Sequence, residues 1–188
     1  MCNILESIDL KEIDNFKSFT DRYFTKRFIV NANGVKNNDI MLMFHSNRIT
    51  LLSLAPSHFF FKNPQTYSLN FFVGNVDRLC NTVKGKSKKG GQYLTPKSVI
   101  CKVEYEDGTN FEIPCGMKST LIEINEELVK NPHLLKEKPD SGGFIAIMLS
   151  SIAISDATKK ELLTFEDYSK LACCGEQITP SSGGNLAR

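Results

Sequence analysis

The chain has no tryptophan, only three histidines and no CxxC cysteine pair in its 188 residues. Each absence removes a class of function. His45, His58 and His133, together with Cys2, Cys80, Cys101, Cys115, Cys173 and Cys174, show none of the spacings by which metals or redox dithiols are held. There is no nucleophile elbow, no paired-carboxylate signature and no serine–histidine arrangement, so neither an enzyme nor a bound cofactor or metal is expected. The His45-Ser46-Asn47 run is ordinary turn chemistry rather than a catalytic pair. Long apolar runs are missing too: Gly143 to Leu149 falls far short of the ~20 residues that span a bilayer, and a soluble protein is expected. A large charge of either sign is also missing, since the formal net charge is +2, so any basic surface has to be local. No apolar signal-like stretch precedes the cysteines, a pattern that suits reduced thiols in the cytosol or nucleus. The first arginine is Arg22, and Glu6, Asp9, Glu12 and Asp14 lie ahead of it, unlike an arginine-rich, acid-poor mitochondrial leader.

What is present is an average globular composition, 41% hydrophobic and 23% charged. The length fits one domain with tails. The reading is an N-terminal extension over 1–19, a single domain over 20–174 and a tail over 175–188 with the composition of a disordered end. Residues 4–16 place Ile4, Leu5, Ile8, Ile13 and Phe16 at spacings that partly fit one helix face, and a loose tail fits them as well. The Asn- and Gly-rich stretch 31–39 reads as a loop. IMLMFH from Ile40 and RITLLSL from Arg48, broken at Ser46-Asn47, predict a hairpin. HFFF and a strand YSLNFFV (67–73) follow, with edges open to pairing between chains. Asp107-Gly108 separates two runs of strand formers and predicts a hairpin with a type I′ turn. NEELVKNPHLLKEKP reads as a short helical or 3₁₀ turn ended by Pro132, FIAIML (144–149) as a last core strand, and Thr164 with Asp167 as the capping box of a helix from about Phe165 to Cys173. Val99, Val103, Ile113, Leu121, Ile124, Phe144, Ile145 and Ile147 are the predicted core faces.

One segment stands out chemically. Lys84, Lys86, Lys88 and Lys89 interleave with Gly85, Gly90 and Gly91, placing four amines in six residues on a glycine-rich turn. Gly85-Lys86-Ser87 invites a phosphate loop, but the glycine needed five residues earlier is Cys80, and no apolar strand leads into it. The concentrated positive potential instead suits an acidic protein surface or the phosphates of RNA or DNA, with Tyr93 the one aromatic near in sequence for stacking. The plainer reading is a solvated turn whose lysines serve solubility. Cys101 and Cys115 flank the Asp107-Gly108 turn almost symmetrically and read as buried thiols placed near each other across the hairpin.

Four ordered blocks, LIEIN (121–125), EELVKNPHLLKEKP, GGFIAIML and LLTFEDYSKLA, cover most of residues 99–173. They resemble the H protein of the glycine cleavage system, a lipoyl carrier. DRYF (21–24), HSNRI (45–49), the LA and SH pairs of LAPSH (54–58), GKSKKG (85–90), the Asp107-Gly108 turn, and INEEL with EKP (137–139) are similar to a closer family, Abitram, also called Simiate. The first resemblance implies a mainly β barrel-sandwich hybrid with a C-terminal helix. The second implies a non-enzymatic, actin-binding modulator of transcription or cell morphology in nucleus and cytoplasm, with Lys84, Lys86, Lys88 and Lys89 as candidate contacts. Counting back from LIEIN, the position matching the lipoyl-lysine is Gly108, and Glu106, Asp107 and Thr109 beside it offer no amine. By the same count, the turn glycine before that strand falls on Ser119, while a glycine stands at Gly116. A nuclear adaptor binding nucleic acid is the first alternative, and an active lipoyl carrier the second.

Overall fold

The computed structural model describes residues 18–85 and 88–174, with side chains to 171. The expectations for 1–17, Lys86, 175–188 and the Cys173 and Cys174 side chains lie outside these residues.

The chain opens on a short helix α1 (Phe19–Tyr23), capped by Ser18, whose Oγ accepts from the Asp21 N–H. It passes directly into β1 (Phe24–Ile29). The hairpin β2 (Ile40–His45) and β3 (Ile49–Leu54) follows as predicted, and Arg48 at its turn takes φ +74°. Asn47 sets this turn, its N–H donating to His45 Nδ1 and its Oδ1 accepting from the Ile49 N–H, so the HSN run does work as turn chemistry.

HFFF does not form a strand. His58 caps a 3₁₀ turn over Phe59–Lys62, its Nδ1 accepting from the Phe60 N–H, so this segment has no strand edge to offer. The predicted strand 67–73 divides into β4 (Tyr67–Asn70) and β5 (Phe72–Val73), because Asn70 Oδ1 accepts from the Phe72 N–H while Phe71 turns inward. β5 pairs with β6 (Val76–Asp77) alone.

After β7 (Tyr93–Leu94) comes the long hairpin β8 (Val99–Tyr105) and β9 (Asn110–Pro114). Its turn is not type I′. Among its central residues only Gly108 has a positive φ, +83°, and its N–H donates to the Tyr105 carbonyl while the Tyr105 N–H donates to that of Thr109. That is a three-residue loop with a glycine bulge. Across this hairpin Cys101 faces Ile113, whereas Cys115 donates its N–H to the Ser98 carbonyl. Both thiols are free and fully buried, but they are not cross-strand partners.

β10 (Ser119–Ile124) is entered through Gly116, φ +77°, where a Cβ would meet Ile29 Cδ1 at 2.7 Å and Ile40 Cδ1 at 2.8 Å. The turn glycine therefore stands at Gly116, and Ser119 is already the buried first residue of the strand. Two helices follow, α2 (Glu127–Lys130) and α3 (Leu134–Glu137), separated at Asn131 because a residue before proline is pushed out of the helical region. β11 (Ala146–Leu149) begins two residues later than expected. Helix α4 (Ile152–Glu161), not anticipated from the sequence, and α5 (Phe165–Cys174) complete the described chain. Half of the capping box is present: Asp167 N–H donates to Thr164 Oγ1, while the Asp167 carboxylate accepts from the Thr164 hydroxyl rather than from its backbone N–H.

The strands form a six-stranded antiparallel sheet in the order β1-β2-β3-β11-β10-β7, a three-stranded sheet β4-β8-β9 and the ribbon β5-β6. Facing sides of the two larger sheets build the main core, in which Leu42, Leu52, Leu94, Ile100, Ile113 and Leu121 have no accessible surface. Of the predicted core positions, Val103, Ile113, Leu121, Ile124 and Ile145 are buried; Val99, Phe144 and Ile147 are partly exposed, since the strand alternation points Ala146 and Met148 inward instead. A second, smaller core lies on the outer side of the large sheet, where Phe28, Met41, Met43 and Ala55 pack against Tyr168 of α5.

Candidate functional site

The basic turn is anchored at its base. Arg78 donates Nε and Nη2 to the Val99 carbonyl and Nη1 to Gln92 Oε1, while Gln92 Nε2 returns to the Asp77 carbonyl. Asn81 Nδ2 donates to the Leu121 and Ile122 carbonyls of β10, and its Oδ1 accepts from the Gln92 N–H. Lys84 and Lys89 then exchange backbone hydrogen bonds of 2.9 and 3.0 Å, closing a small loop with φ +68° at Gly85 and +52° at Lys88. Lys84, Lys88 and Lys89 are exposed, and none has an acidic partner within 4.0 Å among the described residues. Tyr93, 61% exposed, lies beyond this loop on edge strand β7, with Lys118 Nζ 5.8 Å from its ring centre. Cys80 is exposed, but Asp77 beside it accepts its thiol proton and holds the thiol above its ordinary range, the reverse of activation.

Gly108 lies at the exposed tip of the β8–β9 hairpin, with open space where a side chain would start. Asp107 fixes the tip by accepting from the Thr109 N–H and from Gln65 Nε2. The neighbouring amines point elsewhere: Lys102 pairs with Glu112 on the strands at 3.0 Å, and Lys118 lies over Tyr93. Among the described residues no group of three or more His, Cys, Asp or Glu could hold a metal ion, and no helix is long and apolar enough to cross a membrane.

The SH pair belongs to a buried polar knot. His58 Nδ1 accepts from a backbone N–H, so Nε2 carries the proton and donates to Asn38 Oδ1 at 2.8 Å. Burial lowers its pKa to about 4, against the pull of Asp39. Asp39 accepts from the Asn31 N–H, from Ser57 Oγ at 2.7 Å and from the Tyr168 hydroxyl at 3.2 Å. The Tyr168 ring stacks on Phe28 at 4.4 Å, and burial pushes its hydroxyl pKa up to about 12. This knot ties α5 to the sheet.

Sequence reasoning missed a cleft of about 740 Å³ beside that knot. Its floor is Phe24, Phe28, Met41, Leu54 and Pro56; its rim carries Asp21, Lys26, Arg27, Asp140 and Glu166. Lys26 Nζ reaches Asp21 at 2.6 Å and Asp140 at 3.1 Å. Residues from DRYF, LAPSH and the end of EKP line it, so three of the segments that carry the Abitram resemblance converge here. The signal was present, but as three fragments spread over more than a hundred residues of sequence.

The architecture and the hairpin tip define a class: an H-protein-like β fold. The glycine cleavage system H protein from Mycobacterium marinum superposes with a TM-score of 0.50 over 80% of this chain and 97% of that one, at 11% identity. No protein-family model matches the chain. Within the class, Protein Abitram from Xenopus tropicalis is 35% identical over 158 residues, covering 83% of this chain and 86% of that relative. The Homo sapiens protein of the same name is 34% identical over 156 residues, 82% and 86% of the two chains, and the Drosophila melanogaster one 37% over 155 residues, 82% and 70%. The chain belongs to the Abitram family.

Proposed function

We propose that this protein is a non-enzymatic interaction protein of nucleus and cytoplasm that docks on actin, or an equivalent acidic protein surface, and thereby modulates transcription or cell morphology. The observation that carries this reading is the basic turn, whose exposed amines sit on a loop held at its base by Arg78, Asn81 and Gln92. A cluster of positive charge whose described members, Lys84, Lys88 and Lys89, have no acidic partner within 4.0 Å among the described residues steers an acidic partner. On this reading the fold has left carrier chemistry behind, because an amine at the hairpin tip is what a lipoyl arm needs and Gly108 has none.

Co-sedimentation with filamentous actin across a salt series tests it, comparing wild type with the variant in which Lys84, Lys86, Lys88 and Lys89 become glutamate. Pelleting at low salt that is lost in the variant supports the reading. No pelleting at low salt sinks direct filament binding. A second reading, binding to nucleic acid, draws on Tyr93 exposed near the same loop with Lys118 beside it. A log-log salt slope in single-stranded RNA titrations that flattens in the same variant supports it. Intact mass after expression with lipoate and a lipoate ligase separates both from the carrier, which alone requires a lipoyl adduct.

A further inference from the structure

The outer edge of β1 is open over part of its length, inside the cleft. Phe28 and Leu163 exchange backbone hydrogen bonds of 3.1 and 3.3 Å, so the Phe28 backbone groups point away from β2. Backbone direction alternates along a strand, so those of Lys26 and Phe24 face the same outer edge. An extended chain continuing from Leu163 would pair next with Lys26. It does not, because Thr164 caps α5 and the chain turns into the helix at Phe165. At the other end the Phe24 N–H is taken by the Thr20 carbonyl of α1. The Lys26 carbonyl accepts from Arg27 Nη1 at 2.9 Å, and its N–H has no outward partner among the described residues. Phe24, Lys26, Arg27 and Phe28, which project to both faces of the strand, all line the cleft, and this places the cleft over the strand edge.

The charges around the opening say what fits. Lys26 is shared by two carboxylates, and Arg27 donates Nε to the Lys159 carbonyl and Nη1 to that of Lys26. Glu166 has no ion-pair partner within 4.0 Å among the described residues, although backbone and Thr164 hydrogen bonds and the more distant Arg27 charge hold its carboxyl below its ordinary range. The rim thus presents three carboxylates against two committed cations, on a chain whose net charge is +2. An acidic segment is disfavoured here.

We propose that this cleft is a docking site for a short extended peptide of alternating apolar and basic residues from a partner protein, which extends the Leu163 pairing along β1. Its backbone carbonyl accepts from the Lys26 N–H, its apolar side chains enter between Phe24, Phe28 and Phe165, and its basic side chain meets Glu166. This is strand addition at a groove, in which main-chain bonds give affinity and side-chain pockets give specificity. It is a separate site from the basic turn, of opposite charge.

The test uses the full chain with Lys84, Lys86, Lys88 and Lys89 changed to alanine, so that the turn neither repels nor attracts a charged peptide. Fluorescence anisotropy with labelled VKVKVK, VEVEVE and KKKKKK peptides is paired with NMR hydrogen exchange at the Lys26 amide. The expected result is saturable binding of VKVKVK, at least tenfold weaker binding of the other two, a tenfold loss on Glu166→Lys, and slowed Lys26 exchange in the complex. Exchange is read on the unmutated cleft and does not depend on any cleft variant folding. Absence of VKVKVK binding at millimolar peptide, equal binding of VEVEVE, or binding that leaves Lys26 exchange unchanged overturns the proposal.

Discussion

At His58 both ring nitrogens are engaged, one as acceptor at a helix cap and one as donor to Asn38; protonation leaves the donor in place but abolishes the acceptor, setting Nδ1–H against the Phe60 N–H. Its folded pKa is lowered from 6.5 to about 4, so between those values the unfolded chain binds the extra proton and stability falls as pH falls. The stability is fully present above about pH 6.5, is lost progressively down to about pH 4, and amounts to about 3 kcal/mol at most. Urea unfolding at pH 7.5 and pH 4.5, for wild type and His58→Gln, checks this: the pH dependence should shrink in the variant. Tyr168→Phe should keep the stacking on Phe28 but strip a donor from buried Asp39, lowering stability by about 1–3 kcal/mol in the same assay. At this scale the sequence showed the SH pair but not its meaning, because Tyr168 lies 111 residues from Ser57 and 129 from Asp39. No local pattern encodes a hydrogen bond of that span.

Among the elements, the basic turn and its glycines respond differently to change. Gly85, φ +68°, has open space around it, whereas a Cβ on Gly91 would meet Thr120 Cγ2 at 2.6 Å and the Leu121 carbonyl oxygen at 2.8 Å. Gly91→Ala is therefore expected to lower thermal stability by about 1–3 kcal/mol through overpacking. Reversing the lysines, whose described side chains are exposed, should leave the melting temperature within a few degrees of wild type. Differential scanning fluorimetry reads both. Hairpins were legible in the sequence because alternation and turn residues are local. FTKRFI at β1 was not, since its lysine and arginine interrupt the apolar pattern, although Lys26 turns out to bridge Asp21 and Asp140. The cleft was illegible for the same reason, being built where α1, β1, α5 and the Pro139-Asp140 turn meet.

For the molecule as a whole, β11 is the strand on which closure depends. It lies between β3 and β10 and pairs with both, so the early hairpin and the later strands share one sheet only through it. Far-ultraviolet circular dichroism and near-ultraviolet signals should accordingly lose structure in a single coincident thermal transition. Two separated transitions would mean that the β1–β3 hairpin region holds independently. This same placement has a consequence for biosynthesis. A ribosome adding about 5–20 residues per second needs roughly 5–20 s to go from the end of β3 at Leu54 to the start of β11 at Ala146. Throughout that interval the apolar strand Ile49–Leu54 waits in the nascent chain with its inner edge unpaired. Chains stalled or truncated before Leu149 are therefore the ones that chaperones must shield.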